Sequence, residues 1–219
     1  MNDELKSSRT ELHRYPTRGH HDFETVAAIL DEAFVCHVGF VSNGQPYVLP
    51  TVYGRDGRVL YLHGSAQGRM LNALASAEAI CVTVTLVDGL VLARSGMHSS
   101  VNYRSVVMLG SAEPVAAAER ERALKIVSDH VVPGRWETLR PVRPAELDQT
   151  TVLRMDIIEA SAKVRAGPPQ DDEEDYALPI WAGTLDFPAT DPVAVPDARL
   201  DPNVPLPAHV ANYRRPAKR

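Results

Sequence analysis

From Asp22 to Ala33 the apolar residues Phe23, Val26, Ala27, Ile29 and Leu30 recur at helical spacing, with Asp22 placed to cap the first turn. Residues 34–41 (FVCHVGFV) then read as a strand. His37 alternates with core positions there and reads as a satisfied structural histidine. Asn43-Gly44 tolerates the positive φ angles of a tight hairpin, which predicts a partner strand over 46–54. Asp56-Gly57 repeats the signal and predicts a third strand over 58–63. Ser65 is placed to cap a helix over 66–76 whose apolar side is Met70, Leu71 and Leu74. Strands are predicted over 79–87, 90–94 and about 101–113, an amphipathic helix over 116–130, and a long closing strand over 150–165. About seven strands without βαβ alternation predict a mainly β fold, a small antiparallel barrel with helices on its outside.

Composition divides the chain further. Ten of the 17 prolines lie in 168–219, and the acidic run Asp171–Asp175 opens that segment. Proline breaks helices and removes ladder donors, so 168–219 is expected to be an extended tail that packs on the barrel or a partner subunit. Residues 1–20 form an N-terminal arm and 21–167 the folded domain. Trp181 in the tail is expected to dock on the domain or on the partner subunit. The net charge of −5 argues against a basic nucleic-acid footprint. No apolar run reaches the ~18 residues of a membrane-spanning helix. The polar start carries no secretory signal, so the cytoplasm is the expected compartment. Cys36 and Cys81 read as free thiols, and no histidine spacing suggests a metal site.

Three stretches carry candidate chemistry. In the junction 61–69 (YLHGSAQGR) a glycine, a hydroxyl cap and an arginine in the first helical turn would form an anion cradle at Gly64, Ser65 and Arg69. The first N–H groups of a helix have no intrahelical partner and its dipole is positive there. A plain capped helix with a solvated arginine is the alternative. In 46–53 (PYVLPTVY) Pro50 interrupts a ladder, so the backbone of Leu49–Val52 either marks an edge strand or meets a flat heterocycle. In 94–106 the polar residues Asn102 and Ser105 enter an apolar strand, where a buried Ser105 needs a partner. No nucleophile elbow and no G-x-G-x-x-G fingerprint occurs.

Together PYVLPTVY (46–53), YLHG (61–64) with Arg69, VLARS (91–95) and NYRSVVMLG (102–110) resemble the FMN-binding split-barrel proteins of the pyridoxamine 5′-phosphate oxidase-like superfamily. The similarity is to the flavin-nucleotide-binding branch that includes the nitroimidazole-resistance (Nim) proteins. Trp181-Ala182-Gly183 resembles a late motif of that family. The resemblance implies a six- or seven-stranded antiparallel split β-barrel that forms a homodimer with FMN at the interface. By position it implies flavin contacts from Leu49, Pro50, Thr51 and Val52. It places the phosphate at His63, Gly64, Ser65 and Arg69, and further contacts at Asn102, Ser105 and Trp181. His63 stands where Nim relatives have a proposed functional histidine. An imidazole titrating near neutrality would suit a proton donor there; a phosphate ligand without catalytic duty is the alternative. The implied activity passes electrons from NAD(P)H through FMN to a small acceptor, a nitro compound or quinone. The basic residues and C-terminal segment of the pyridoxamine-phosphate oxidases proper are not found, so their substrate is not expected. The alternatives are a non-catalytic flavin-binding or redox-sensing protein, or a split barrel that binds F420 or haem, the latter through an axial ligand such as His98 or His209.

Overall fold

The computed structural model describes residues 3–188, 192–201 and 203–214, and the rest of the proline-rich tail lies outside the described residues. In chain order the elements are β1 (Gly19–His20), α1 (Phe23–Glu32), β2 (Val35–Ser42), β3 (Gln45–Asp56), β4 (Val59–Ser65), α2 (Arg69–Ser76) and β5 (Ile80–Leu92). There follow β6 (Ser100–Gly110), β7 (Glu113–Pro114), α3 (Arg120–Val131), α4 (Pro144–Asp148), β8 (Thr150–Asp156), β9 (Glu159–Arg165), β10 (Gly183–Asp186) and α5 (Ala208–Ala211). The strands are antiparallel and run in the order β1-β9-β6-β5-β2-β3-β4-β8-β7, with β10 added on β5. This is a split barrel with flanking helices. Three strands beyond the seven expected are short: β1, β7 and β10.

Local expectations hold where local physics decides. The Asp22 carboxylate accepts from the Thr25 N–H at 2.8 Å and caps α1. Asn43 and Gly44 take φ of 52° and 77°, the double positive turn that joins β2 to β3. Inner positions of the sheet, among them Val38, Leu60, Val82, Val106 and Leu153, are fully buried with Val26 and Leu30 of α1. A smaller cluster of Tyr61, Val115, Ala123, Val127 and Val152 seats α3 on the other face of β4 and β8.

Long-range pairing changes three boundaries. The stretches expected as strands 79–87 and 90–94 are one strand, β5, with its register shifted between Val87 and Gly89. A Cβ on Gly89 would lie 2.6 Å from the Leu185 carbonyl oxygen, so only glycine admits the tail strand β10 there. β10 fills the part of β5's edge that β2 leaves free: β2 pairs with Cys81–Thr83, and β10 with Gly89–Leu92. Conversely, the single strand expected over 150–165 is two. β8 pairs with β4 and β7, and β9 with β6 and β1. The chain changes sheets at Ile157, whose N–H donates to the Arg58 carbonyl at 2.7 Å while its side chain is buried in the core. Finally, α2 begins at Arg69 rather than at 66. Ser65 ends β4, and the cap position is Gly68, whose N–H donates back to the Ser65 carbonyl at 2.8 Å.

Described parts of the arm and the tail bond to the barrel, the tail through β10. Leu5 is buried, and its backbone bonds to His21 and Ala160. Among the described residues no helix is long and apolar enough to cross a membrane.

Candidate functional site

β3 changes partners halfway along. Over Gln45–Val52 it pairs with β2, and over Tyr53–Asp56 it pairs with β4. The second edge of Gln45–Val52 therefore has no strand beside it among the described residues. Pro50 stands in this half, where a missing N–H breaks no ladder on the open side. Side chains alternate across it. Leu49 and Thr51 share a face with the core positions Val38 and Cys36 opposite them. Pro50 and Val52 face the other way. What Leu49, Pro50, Thr51 and Val52 have in common is the open backbone edge, which suits recognition of a planar ligand through main-chain groups.

β4 brings the cradle to that edge. Tyr53, next to Val52, pairs with Leu62, next to His63, and this is the last pair of β3 with β4; His63 and Gly64 go on to pair with Val152 and Thr151 of β8. His63 is half-buried, and its Nδ1 is fully buried with no hydrogen-bond partner among the described residues. An imidazole nitrogen hidden without a partner is the kind of group that a bound molecule satisfies. Burial pushes the His63 pKa below its ordinary value, so the ring is neutral at pH 7. The Ser65 side chain accepts from the Gln67 N–H at 3.3 Å instead of capping a helix. Arg69 opens α2, and its exposed guanidinium lies 5.8 Å from the Tyr47 ring centroid. Tyr47 in turn stacks on Phe40 at 5.5 Å. Among the described residues no carboxylate pairs with Arg69. The open edge of β3 begins one residue from the Tyr53–Leu62 pair, His63 follows that pair on β4, and Arg69 reaches the Tyr47 ring of the open half.

The remaining expected residues are not brought into that group within one chain. Asn102 is buried on the inner face of β6. Its amide donates to the Gly167 carbonyl at 3.2 Å, and its oxygen accepts from Arg165. Its polar atoms are therefore engaged inside the chain. Ser105 points to the opposite, outer face, between Thr85 and Lys163. Trp181 is 66% exposed, with its ring beside Gly183 of β10. His37, read as a satisfied structural histidine that alternates with core positions, is exposed on the outer face, where alternation with the buried Cys36 and Val38 turns it.

Sequence reasoning missed the outer face itself. Val35, His37 and Val41 of β2 lie beside Pro46, Val48 and Pro50 of β3, and Val41 and Val48 are 61% and 67% exposed. Exposed apolar residues alternating along two neighbouring strands are the signal that was available. It also missed Arg104, which is buried between Glu32 at the end of α1 and Asp88 in the β5 bulge.

An antiparallel barrel split at β3, with a cradle at the β4–α2 junction, defines a class of fold. The sequence profile of the pyridoxamine 5′-phosphate oxidase family matches residues 22–164, and the chain belongs to this family. Among solved structures, the flavocytochrome Anf3 from Azotobacter vinelandii is 45% identical. That match covers 95% of this chain and 97% of the other, with a TM-score of 0.90. The FAD and heme binding protein from Mycobacterium smegmatis is 32% identical over 90% of this chain and 98% of its own, with a TM-score of 0.87. A protein named for 5-nitroimidazole antibiotic resistance from Bacteroides thetaiotaomicron shares the fold at 24% identity and a TM-score of 0.56. It covers 67% of this chain and 86% of its own. None of the curated proteins matches the chain.

Proposed function

We propose that the protein is a flavin-nucleotide-binding redox protein that works as a homodimer, with the flavin held against the open edge of β3. The observation that carries this reading is the unpartnered, buried Nδ1 of His63 beside that edge. The backbone of Leu49–Val52 would meet the ring system. Gly64, Ser65 and Arg69 would hold phosphate at the start of α2, and the neutral His63 would hydrogen-bond the cofactor rather than supply a proton. When bound, a flavin supplies two-electron chemistry between reduced nicotinamide and a small acceptor such as a nitro compound or quinone. The uncovered face of β2 and β3 would pack on a second copy, which would also bring Ser105 and Trp181 toward the partner's site. The relative named for FAD and heme supports a dinucleotide flavin beside the FMN first expected. The test is the absorption spectrum of the purified protein, followed by release and mass identification of the chromophore. Flavin bands, with bleaching by NAD(P)H and reoxidation by a nitro compound or quinone, are expected. A colourless protein that takes up neither FMN nor FAD would sink the assignment.

A second reading adds haem to the flavin. The family profile ends at residue 164, yet the two relatives named for haem or as a flavocytochrome match 95% and 90% of the chain, so the likeness extends beyond the barrel. In the tail the His209 Nε2 is buried without a partner among the described residues, whereas the His98 Nδ1 already lies 2.9 Å from the Ser95 hydroxyl. His209 would therefore be the axial ligand. A Soret band that His209→Ala abolishes, with flavin retained, is the expected result.

A further inference from the structure

The chain carries a net charge of −5, yet one cavity of about 400 Å³ collects Arg14, Arg18, Lys163 and Arg165 and is lined by no aspartate or glutamate. It lies where the N-terminal arm meets β6 and β9. In the sheet order β5 and β2 separate it from the groove at β3.

Among the described residues each cation is positioned without a carboxylate partner. Arg165 is buried, and its guanidinium donates to the Asn102 side chain and, at 3.3 Å, to the Gly167 carbonyl. The Lys163 ammonium donates to the Arg14 carbonyl at 3.5 Å. The Arg14 and Arg18 guanidiniums lie over one aromatic ring, that of Tyr15, at 5.1 and 4.2 Å from its centroid. Tyr15 itself takes the left-handed conformation, φ 58° and ψ 58°, which costs a non-glycine residue energy and concentrates at functional positions. Two carboxylates at the margin, Asp172 and Asp175, gather at His98, with Asp172 at 3.9 Å. Four like charges gathered with no carboxylate among the described lining residues repel one another, and Arg18 already lowers the pKa of its neighbour Arg165 after the larger effect of burial. A polyanion removes that cost on binding.

The chemistry of the lining narrows the class. Guanidinium forks and an ammonium around a polar cavity match phosphate oxygens. Tyr15 and Tyr103 offer aromatic surface to a base, and Ser99 and Ser100 offer hydroxyls. The volume falls within the range of nucleotide-sized sites. We propose that this cavity binds the diphosphate of a nucleotide, with the base against the two tyrosines.

The test is titration of ADP into the full-length protein by calorimetry, both as purified and after flavin release. Binding is expected, competed by inorganic pyrophosphate and not by adenosine. Arg18→Ala with Lys163→Ala should weaken it at least tenfold, while Arg18→Lys with Lys163→Arg should retain most of it. Both residues are only half-buried, and matching melting temperatures would confirm folding. If ADP releases the flavin, the diphosphate belongs to a resident dinucleotide; if it binds beside the flavin, the cavity serves a second nucleotide. Either arm supports the site. Absence of ADP binding to both forms, or an affinity unchanged in the double alanine variant, would overturn it. So would a double variant that loses a haem band in a protein with no affinity for ADP, because the cavity would then hold carboxylates of a tetrapyrrole. In each case intact flavin bands leave the reading at β3 standing.

Discussion

Two ends of the barrel treat their polar groups in opposite ways. Around α1, the Arg104 guanidinium is shared between Glu32 and Asp88. The Tyr53 hydroxyl lies 2.6 Å from the Leu30 carbonyl it donates to, and His130 Nε2 donates to the Ala33 carbonyl at 2.8 Å. Around the β4–α2 junction, the His63 Nδ1 has no partner and Arg69 pairs with no carboxylate among the described residues. Both arginines belong to the motifs that carry the family resemblance, so sequence alone gives them equal standing. Partners separate them. A buried polar group whose bonds are complete is committed to the fold, and one whose bonds are missing is available to a ligand.

The largest effect should come from the committed arginine. Arg104→Ala would leave Glu32 and Asp88 crowded together without their cation, and breaking a buried ion pair from one side costs about 3–5 kcal/mol. Chemical denaturation should show that loss. An Arg104→Ala protein with wild-type stability and lost flavin would erase the contrast. Arg69→Ala is its counterpart. A charge-assisted hydrogen bond to a phosphate is worth about 1.5–3 kcal/mol, or roughly 10–100-fold in affinity. Flavin titration should show that weakening, and denaturation of the flavin-free protein should show almost no change, because the side chain is exposed.

How much of this contrast could be read beforehand follows from where each residue's partners lie. Asp22 caps α1 through Thr25, three residues away, and the Asn43-Gly44 turn is local, so both were legible. The interrupted ladder at Leu49–Val52 and the β-to-α junction after His63 were legible because strand alternation and such a junction are short-range patterns. Arg104 was not, because its partners are 72 and 16 residues away. The break at Ile157 was hidden for a related reason. Residues 150–165 are uniformly strand-like, and the switch between sheets is set by β4 and β6 on either side. Ser65 misled because a hydroxyl before an apolar helix has the cap signature, while the chain needs Gly68 to turn tightly under Ser65.

A smaller change tests the same end. Tyr53→Phe keeps the ring in the core and removes only the hydroxyl. The Ala33 carbonyl keeps its bond from His130, which also interacts with the Leu30 backbone, so the loss is that of the Tyr53 hydrogen bonds, about 0.5–1.5 kcal/mol. Flavin affinity should not move. Phe at this position binding flavin more weakly would mean that the two ends are coupled.

The finest discrimination uses pH, because burial is the leading cause that lowers the pKa of both His130 and His63. In each case the unfolded chain takes up a proton at a higher pH than the folded one. Stability is therefore full above the unfolded value near 6.5 and is lost as pH falls through that value toward the folded one. Melting temperature should drop between pH 7 and pH 5, by about 2–4 °C per kcal/mol for a chain of this size. His130→Gln and His63→Gln should each flatten part of that slope. Flavin separates them. A cofactor that takes the free Nδ1 of His63 binds its neutral form, so affinity should fall with pH over the same window, and His63→Gln should remove the dependence. The His130 ring is tied to Ala33 on the far side of Tyr53, and its substitution should leave the pH dependence of flavin binding intact. Equal effects of the two substitutions on that dependence would show that the unpaired imidazole is not a ligand.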